Sequence, residues 1–199
     1  MLNRTQKVGI LDYGVGNIAS LKGALEKLNL HVCIGNTELS LSSVDTIFLP
    51  GVGCFSFAME NLRQLKMDRF LQNRFDAQDT KVIGICLGMQ IFFDHSEEGN
   101  SVGLGLMKGR VKRFSEKECH VGWNVASPVK DTVISGNSGF YFNHSYYVDC
   151  EADLILATSI YQRNFPVIVN KNRFYGIQFH PEKSQNVGAQ MIKMLVKED

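Results

Sequence analysis

Residues 81–90 read Lys81-Val82-Ile83-Gly84-Ile85-Cys86-Leu87-Gly88-Met89-Gln90. The apolar run predicts a buried strand over Lys81–Cys86, and Leu87–Phe93 reads as the helix that follows. At their junction stands G-x-C-x-G, with glycines two before and two after a cysteine. This is the thiol form of a nucleophile elbow. Its sharp turn strains the central residue, its glycines leave room for close packing, and its side chain is lifted above the sheet. The helix N-terminus that follows favours a thiolate. A buried structural cysteine at a Gly-rich strand end is the plainer alternative.

The same alternation of strand and helix runs through the first half. Strands are predicted at Lys7–Tyr13, His31–Gly35 and Asp45–Leu49. Helices are predicted at Asn17–Leu28 and, in two pieces, across Phe55–Phe75. Such βαβ units imply a parallel sheet covered on both faces. The second half changes character. Gly105–Phe114, His120–Ala126, Phe140–Val148, Leu154–Ser159, Pro166–Asn170 and Phe174–Phe179 read as strands with turn residues between them. A last helix is expected at Gln185–Lys197. The expected fold is α/β, a central mostly parallel sheet flanked by helices, with an added antiparallel portion in the C-terminal half. Residues 1–199 are read as one domain.

Composition sets limits on function. The 199 residues are 44% hydrophobic and 21% charged with a net charge of +1, so neither disorder nor broad capture of nucleic acid or membrane is indicated. No apolar run is long enough for a membrane span, and the start has no signal-peptide pattern. Five widely spaced cysteines include no CxxC pair, which argues against zinc and thioredoxin-like chemistry. A cytoplasmic location is expected, with no metal or cofactor.

A cysteine nucleophile needs a base. A predicted strand ends at His180, and Pro181-Glu182 follows. Period-two spacing puts His180 and Glu182 on one side, so the carboxylate fixes the imidazole tautomer. The alternative is a capped turn with both side chains exposed. Another strand ends at Leu49-Pro50-Gly51-Val52-Gly53, whose glycines let backbone N–H groups turn toward a carbonyl oxygen; a plain tight turn is the alternative there.

Together these segments resemble the class I (triad) glutamine amidotransferases, in the order oxyanion strand, cysteine elbow, His-x-Glu. More narrowly, the chain is similar to the glutaminase subunits of imidazole glycerol phosphate synthases. Asp12-Tyr13-Gly14-Val15-Gly16-Asn17, Gly122-Trp123-Asn124 and Tyr141-Phe142-Asn143-His144-Ser145-Tyr146-Tyr147 carry that narrower likeness. The resemblance implies Cys86, His180 and Glu182 as the triad, with oxyanion donors from Gly51, Val52, Gly53 and Leu87. It implies that Gln90, Glu98, Asn143, His144, Ser145 and Tyr146 hold glutamine. It implies a heterodimer with a (β/α)8-barrel cyclase that receives the ammonia, docked on Asn17, Trp123, Tyr141 and Lys183. Two other readings stay open: a paralogous subunit serving surface-sugar biosynthesis, and a cysteine hydrolase or peptidase on a related sheet.

Overall fold

A computed structural model describes residues 6–115 and 119–197. The elements in chain order are β1 (Lys7–Leu11), α1 (Ile18–Glu26), β2 (His31–Gly35), α2 (Glu38–Leu41), β3 (Thr46–Gly51), α3 (Phe55–Gln64), α4 (Met67–Ala77), β4 (Lys81–Cys86) and α5 (Leu87–Gln90). They continue with β5 (Phe93–Ser96), β6 (Ser101–Val102), β7 (Met107–Arg113), β8 (His120–Pro128), β9 (Ser138–His144), β10 (Tyr146–Cys150), β11 (Ile155–Tyr161), β12 (Arg163–Lys171), β13 (Phe174–Ile177) and α6 (Gln185–Lys197).

The described strands form a nine-stranded sheet in the order β2-β1-β3-β4-β13-β12-β11-β8-β9 and a four-stranded sheet in the order β10-β7-β5-β6. In the larger sheet β2, β1, β3, β4 and β13 run parallel, and β12, β11, β8 and β9 extend it antiparallel. Period-two alternation divides the central strands between two cores. Val8, Ile10, Phe48, Ile83 and Ile85 face Leu21 and Leu25 of α1 and Met191, Ile192 and Leu195 of α6. Leu11, Ile47, Leu49 and Val82 face the opposite way, toward Phe55, Met59 and Leu62 of α3 and Phe70 of α4. Those helices bury residues at i, i+3 and i+4 spacing, the single apolar stripe a surface helix needs.

Helix starts and breaks have local causes. Asn17 caps α1 by accepting from the Ser20 N–H at 3.1 Å. The two-piece reading of Phe55–Phe75 corresponds to α3 and α4, divided where Lys66 turns left-handed at φ 59°. Three expectations need correction. The helix after Cys86 ends at Gln90, because Phe93 opens β5 in the smaller sheet. Phe140–Val148 is two strands rather than one, since the chain leaves the larger sheet at Ser145. Short α2, β5 and β6 were not anticipated. Among the described residues no helix is long and apolar enough to cross a membrane.

Candidate active site

Parallel register gathers three strand ends. Gly51 lies opposite Cys86, and Ile177 lies opposite Ile85. The residues beyond the carboxyl ends of β3, β4 and β13 therefore meet in one place, where open α/β sheets form their sites.

Cys86 has φ 56° and ψ −109°, a left-handed conformation that an L-residue adopts only when its surroundings impose it. The neighbours impose it here. A Cβ on Gly84 would lie 2.4 Å from the Gly88 carbonyl oxygen, and one on Gly88 would lie 1.9 Å from the Leu49 carbonyl oxygen. Only bare backbone fits, so α5 sits hard against β3 and β4 and the turn between them is forced. The Cys86 Sγ has the Gln178 Nε2 at 3.8 Å and the Asn143 carbonyl oxygen at 3.9 Å.

His180 Nδ1 lies 2.8 Å from Glu182 Oε1, and both side chains are almost fully enclosed, 3% and 4% exposed. The geometry that joins them differs from the extended, period-two arrangement expected. Pro181–Lys183 is a 3₁₀ turn that folds the carboxylate back onto the ring. The His180 backbone is pinned as well: its N–H donates to Tyr141 at 2.9 Å, and its carbonyl accepts from Ser184 Oγ at 2.6 Å. His180 Nε2 and Glu182 Oε2 are buried without a partner at hydrogen-bond geometry, so Nε2 is left for Cys86. Burial is the largest influence on the imidazole and lowers its pKa. Interactions with Cys86 and Glu182 outweigh it and push the pKa up to about 10.

Beside the sulfur is the end of β3. A Cβ on Gly51 would lie 2.7 Å from the Leu87 Cβ. Tyr13 Oη donates to the buried Pro50 carbonyl at 2.7 Å, tethering this strand from below. Burial, with a smaller contribution from Cys86, drives the Tyr13 hydroxyl pKa upward, so it stays a donor. Gly53 has φ +102° and open space where a side chain would go.

A cleft of about 240 Å3 opens over Cys86, room for a molecule of amino-acid size. Val52, Gly53, Leu87, Gln90 and Glu98 line it, together with Asn143, His144, Ser145 and Tyr146. Gly51, His180 and Glu182 do not line it. Glu98 accepts from the Phe55 N–H at 2.9 Å, and burial raises its pKa against the opposing pull of that bond and of Arg113. Gln90 and His144 border the cleft with their polarity turned inward. The Gln90 Nε2 donates to the Tyr146 carbonyl and to Gln178 Oε1, both at 3.1 Å. His144 uses both ring nitrogens on Tyr146 and His120. Cys119 also lines the cleft, and neither it nor Gln178 was anticipated. Nothing in the spacing around Cys119 marks it; Gln178 stands two residues before His180, a period-two signal on the same strand end. Among the described residues no group of three or more His, Cys, Asp or Glu is placed to hold a metal.

Trp123 pairs across β8 and β9 with Tyr141, ring edge to ring face at 6.4 Å, and Lys183 Nζ lies 5.8 Å over the Tyr141 ring. Val121, Trp123 and Val125 are 58%, 53% and 46% exposed, an apolar strip on one face of β8. Asn17 is exposed too, with its side chain committed to capping α1.

The family model described as "Glutamine amidotransferase class-I" matches residues 9–198. A protein of Oceanobacillus iheyensis described as imidazole glycerol phosphate synthase subunit HisH is 45% identical over 196 residues, covering 94% of this chain and 96% of its own. One of the same description from Methanocaldococcus jannaschii is 43% identical over 199 residues, covering 96% and 98%. Among solved structures, PurLQS from Thermotoga maritima is 16% identical with a TM-score of 0.78, covering 97% of this chain and 98% of that one, a likeness of fold.

Proposed function

Because this chain belongs to the class I glutamine amidotransferase family, we propose that it is the glutaminase subunit of an imidazole glycerol phosphate synthase, as its relatives at 45% and 43% identity are described. One observation carries the chemistry: the enclosed His180–Glu182 pair at 2.8 Å beside a cysteine held on a forced turn under an open cleft.

The reaction follows from these groups. His180 Nε2 takes the Cys86 thiol proton, and the sulfur attacks the carboxamide carbon of glutamine. The oxyanion that forms is met by N–H groups of Leu87 and of the Gly51–Gly53 strand, each worth roughly 3–4 kcal/mol by comparison with other oxyanion donors. Collapse breaks the C–N bond, and His180 returns the proton to the departing ammonia. Water, deprotonated by the same ring, opens the γ-glutamyl thioester to glutamate and free thiol. Glu182 keeps the Nδ1 proton in place throughout. Glu98 faces the cleft as a carboxylate partner for the substrate ammonium.

Ammonia released into water at neutral pH is protonated and lost as a nucleophile, so the reading includes a cyclase that takes it directly. The exposed strip around Trp123, with Tyr141 and Lys183, is the proposed docking face; Trp and Tyr are among the residues enriched at interface hot spots. Five unpaired cysteines fit a reducing cytoplasm.

The test is glutamate release from L-glutamine by the full chain combined with a histidine-pathway cyclase subunit. Cys86→Ala is expected to abolish it while leaving the complex intact. Undiminished release by that variant refutes the reading.

A further inference from the structure

A continuous line of hydrogen bonds leads away from the cleft to a place the reaction does not use. The Tyr146 carbonyl accepts from Gln90 Nε2 at 3.1 Å and from His144 Nδ1 at 2.7 Å. His144 Nε2 lies 3.0 Å from His120 Nδ1, and His120 Nε2 lies 3.0 Å from Asn124 Nδ2. The same Asn124 amide donates to the Ile160 carbonyl at 3.0 Å. At the other end, Gln90 reaches Gln178 Oε1 at 3.1 Å, and the Gln178 amide faces the Cys86 sulfur.

The two ends fix the direction of every bond between them. A carbonyl only accepts, so His144 carries its proton on Nδ1 and accepts at Nε2. His120 therefore donates from Nδ1 and accepts at Nε2, where the Asn124 NH2 only donates. Both rings are neutral, each in one tautomer, and both are buried. His120 is further held between the faces of Phe142 and Tyr161, with ring centroids at 4.6 and 4.3 Å.

What this line holds is a joint. β9 ends at His144 in the larger sheet, and β10 begins at Tyr146 in the smaller one. Strand pairing therefore stops on both sides of Ser145, in the middle of the cleft wall. Donors from His144 and Gln90 stand in for it.

We propose that His120 and Asn124 are positioning residues for the glutamine site. Acting through His144, they fix the Tyr146 carbonyl and with it the Asn143–Tyr146 wall, so they set how well the substrate seats rather than how fast the thiol reacts. The assignment rests on the glutaminase reading above. Asn124 also lies on β8 between Trp123 and Val125, so the far end of the line is directly under the exposed strip.

The probe is a γ-diazoketone analogue of glutamine, which alkylates a thiol once seated in a glutamine site. Mass spectrometry of the full chain, combined with a histidine-pathway cyclase subunit, follows labelling of Cys86 against probe concentration. His120→Phe keeps the stacked ring and removes both nitrogens. It is expected to raise the half-saturating concentration roughly tenfold, the equivalent of one or two lost hydrogen bonds, with the maximal labelling rate nearly unchanged. Asn124→Ala, at the partly exposed end, is expected to act in the same direction. The double variant should be no worse than His120→Phe alone, because both break one line. Wild-type half-saturation in both folded variants overturns the assignment, as do fully additive losses. Should His120→Phe not fold, the half-saturation of Asn124→Ala decides it alone. A wild-type chain that does not label at Cys86 overturns the glutaminase reading itself, and this assignment with it.

Discussion

Replacing Glu182 with Gln tests how the triad is oriented. If only the charge mattered, a charge-assisted bond to the His180 Nδ1–H would become a neutral one. That difference is about 1–1.5 kcal/mol, or roughly tenfold in kcat/KM. The surroundings point to a larger loss. Glu182 Oε1 meets His180 Nδ1 at 2.8 Å, while Oε2 is buried with no partner. An amide with its oxygen toward His180 leaves its NH2 where Oε2 stands, an unsatisfied buried donor costing about 1–3 kcal/mol. Turned over, the amide donates to Nδ1 and leaves its oxygen in a place that already tolerates one. The second orientation is favoured, and it forces the ring proton onto Nε2, where it cannot take the proton of Cys86. A comparable tautomer fault in a Ser-His-Asp triad costs about 10⁴ in kcat. Glu182→Gln is therefore expected to lose about 10³–10⁴ in glutamate release, with 15N NMR showing the proton on Nε2. A loss of tenfold or less, with the proton still on Nδ1, refutes this reasoning.

Tyr13→Phe removes the buried donor to the Pro50 carbonyl. The stranded acceptor is expected to cost about 1–3 kcal/mol, a fall in Tm of about 2–12 °C, and an unchanged Tm counts against the tether. The histidines predict a stability maximum near pH 6.5. Burial holds His120 down to about 4, and His144 down to about 3 against the opposing bond to Tyr146. The unfolded chain therefore binds protons that the folded one excludes, and stability falls as pH drops from 6.5 toward 4. His180, raised to about 10, contributes stability that is whole below 6.5 and lost as pH climbs through 10. Thermal melts from pH 4 to 10 check both limbs, and a flat acid limb contradicts the neutral histidine pair.

The parallel half was legible because its signals are local. Val82, Ile83 and Ile85 with Gly84 and Gly88 state both a buried strand and a turn that only glycine allows, since a Cβ at either glycine would run into a main-chain carbonyl. His180 and Glu182 were placed together by a route that proved wrong in its geometry, since a 3₁₀ turn makes the contact. What escaped depends on distant pairing. Ile91, Phe92 and Phe93 are all fully buried, so no polar face marks where α5 stops and β5 starts. Phe140 to Val148 carries strand-forming residues throughout, and the change of sheet at Ser145 leaves no trace in them. His120 and His144 meet because β8 and β9 pair them directly, a register that spans 24 residues and becomes readable only once the strands are aligned.

The tightness around the elbow also decides which changes a second change can repair. A Cβ on Gly9 would press on Leu41 Cδ2 at 2.7 Å, and trimming Leu41 would make way for it. On Gly88 it would strike the Leu49 carbonyl, and on Gly84 the Gly88 carbonyl, atoms that every amino acid carries. No suppressor elsewhere in the chain can shrink a main-chain oxygen. A library built to retune this enzyme should leave those two positions untouched and place its diversity at the exposed Val52 side chain on the rim.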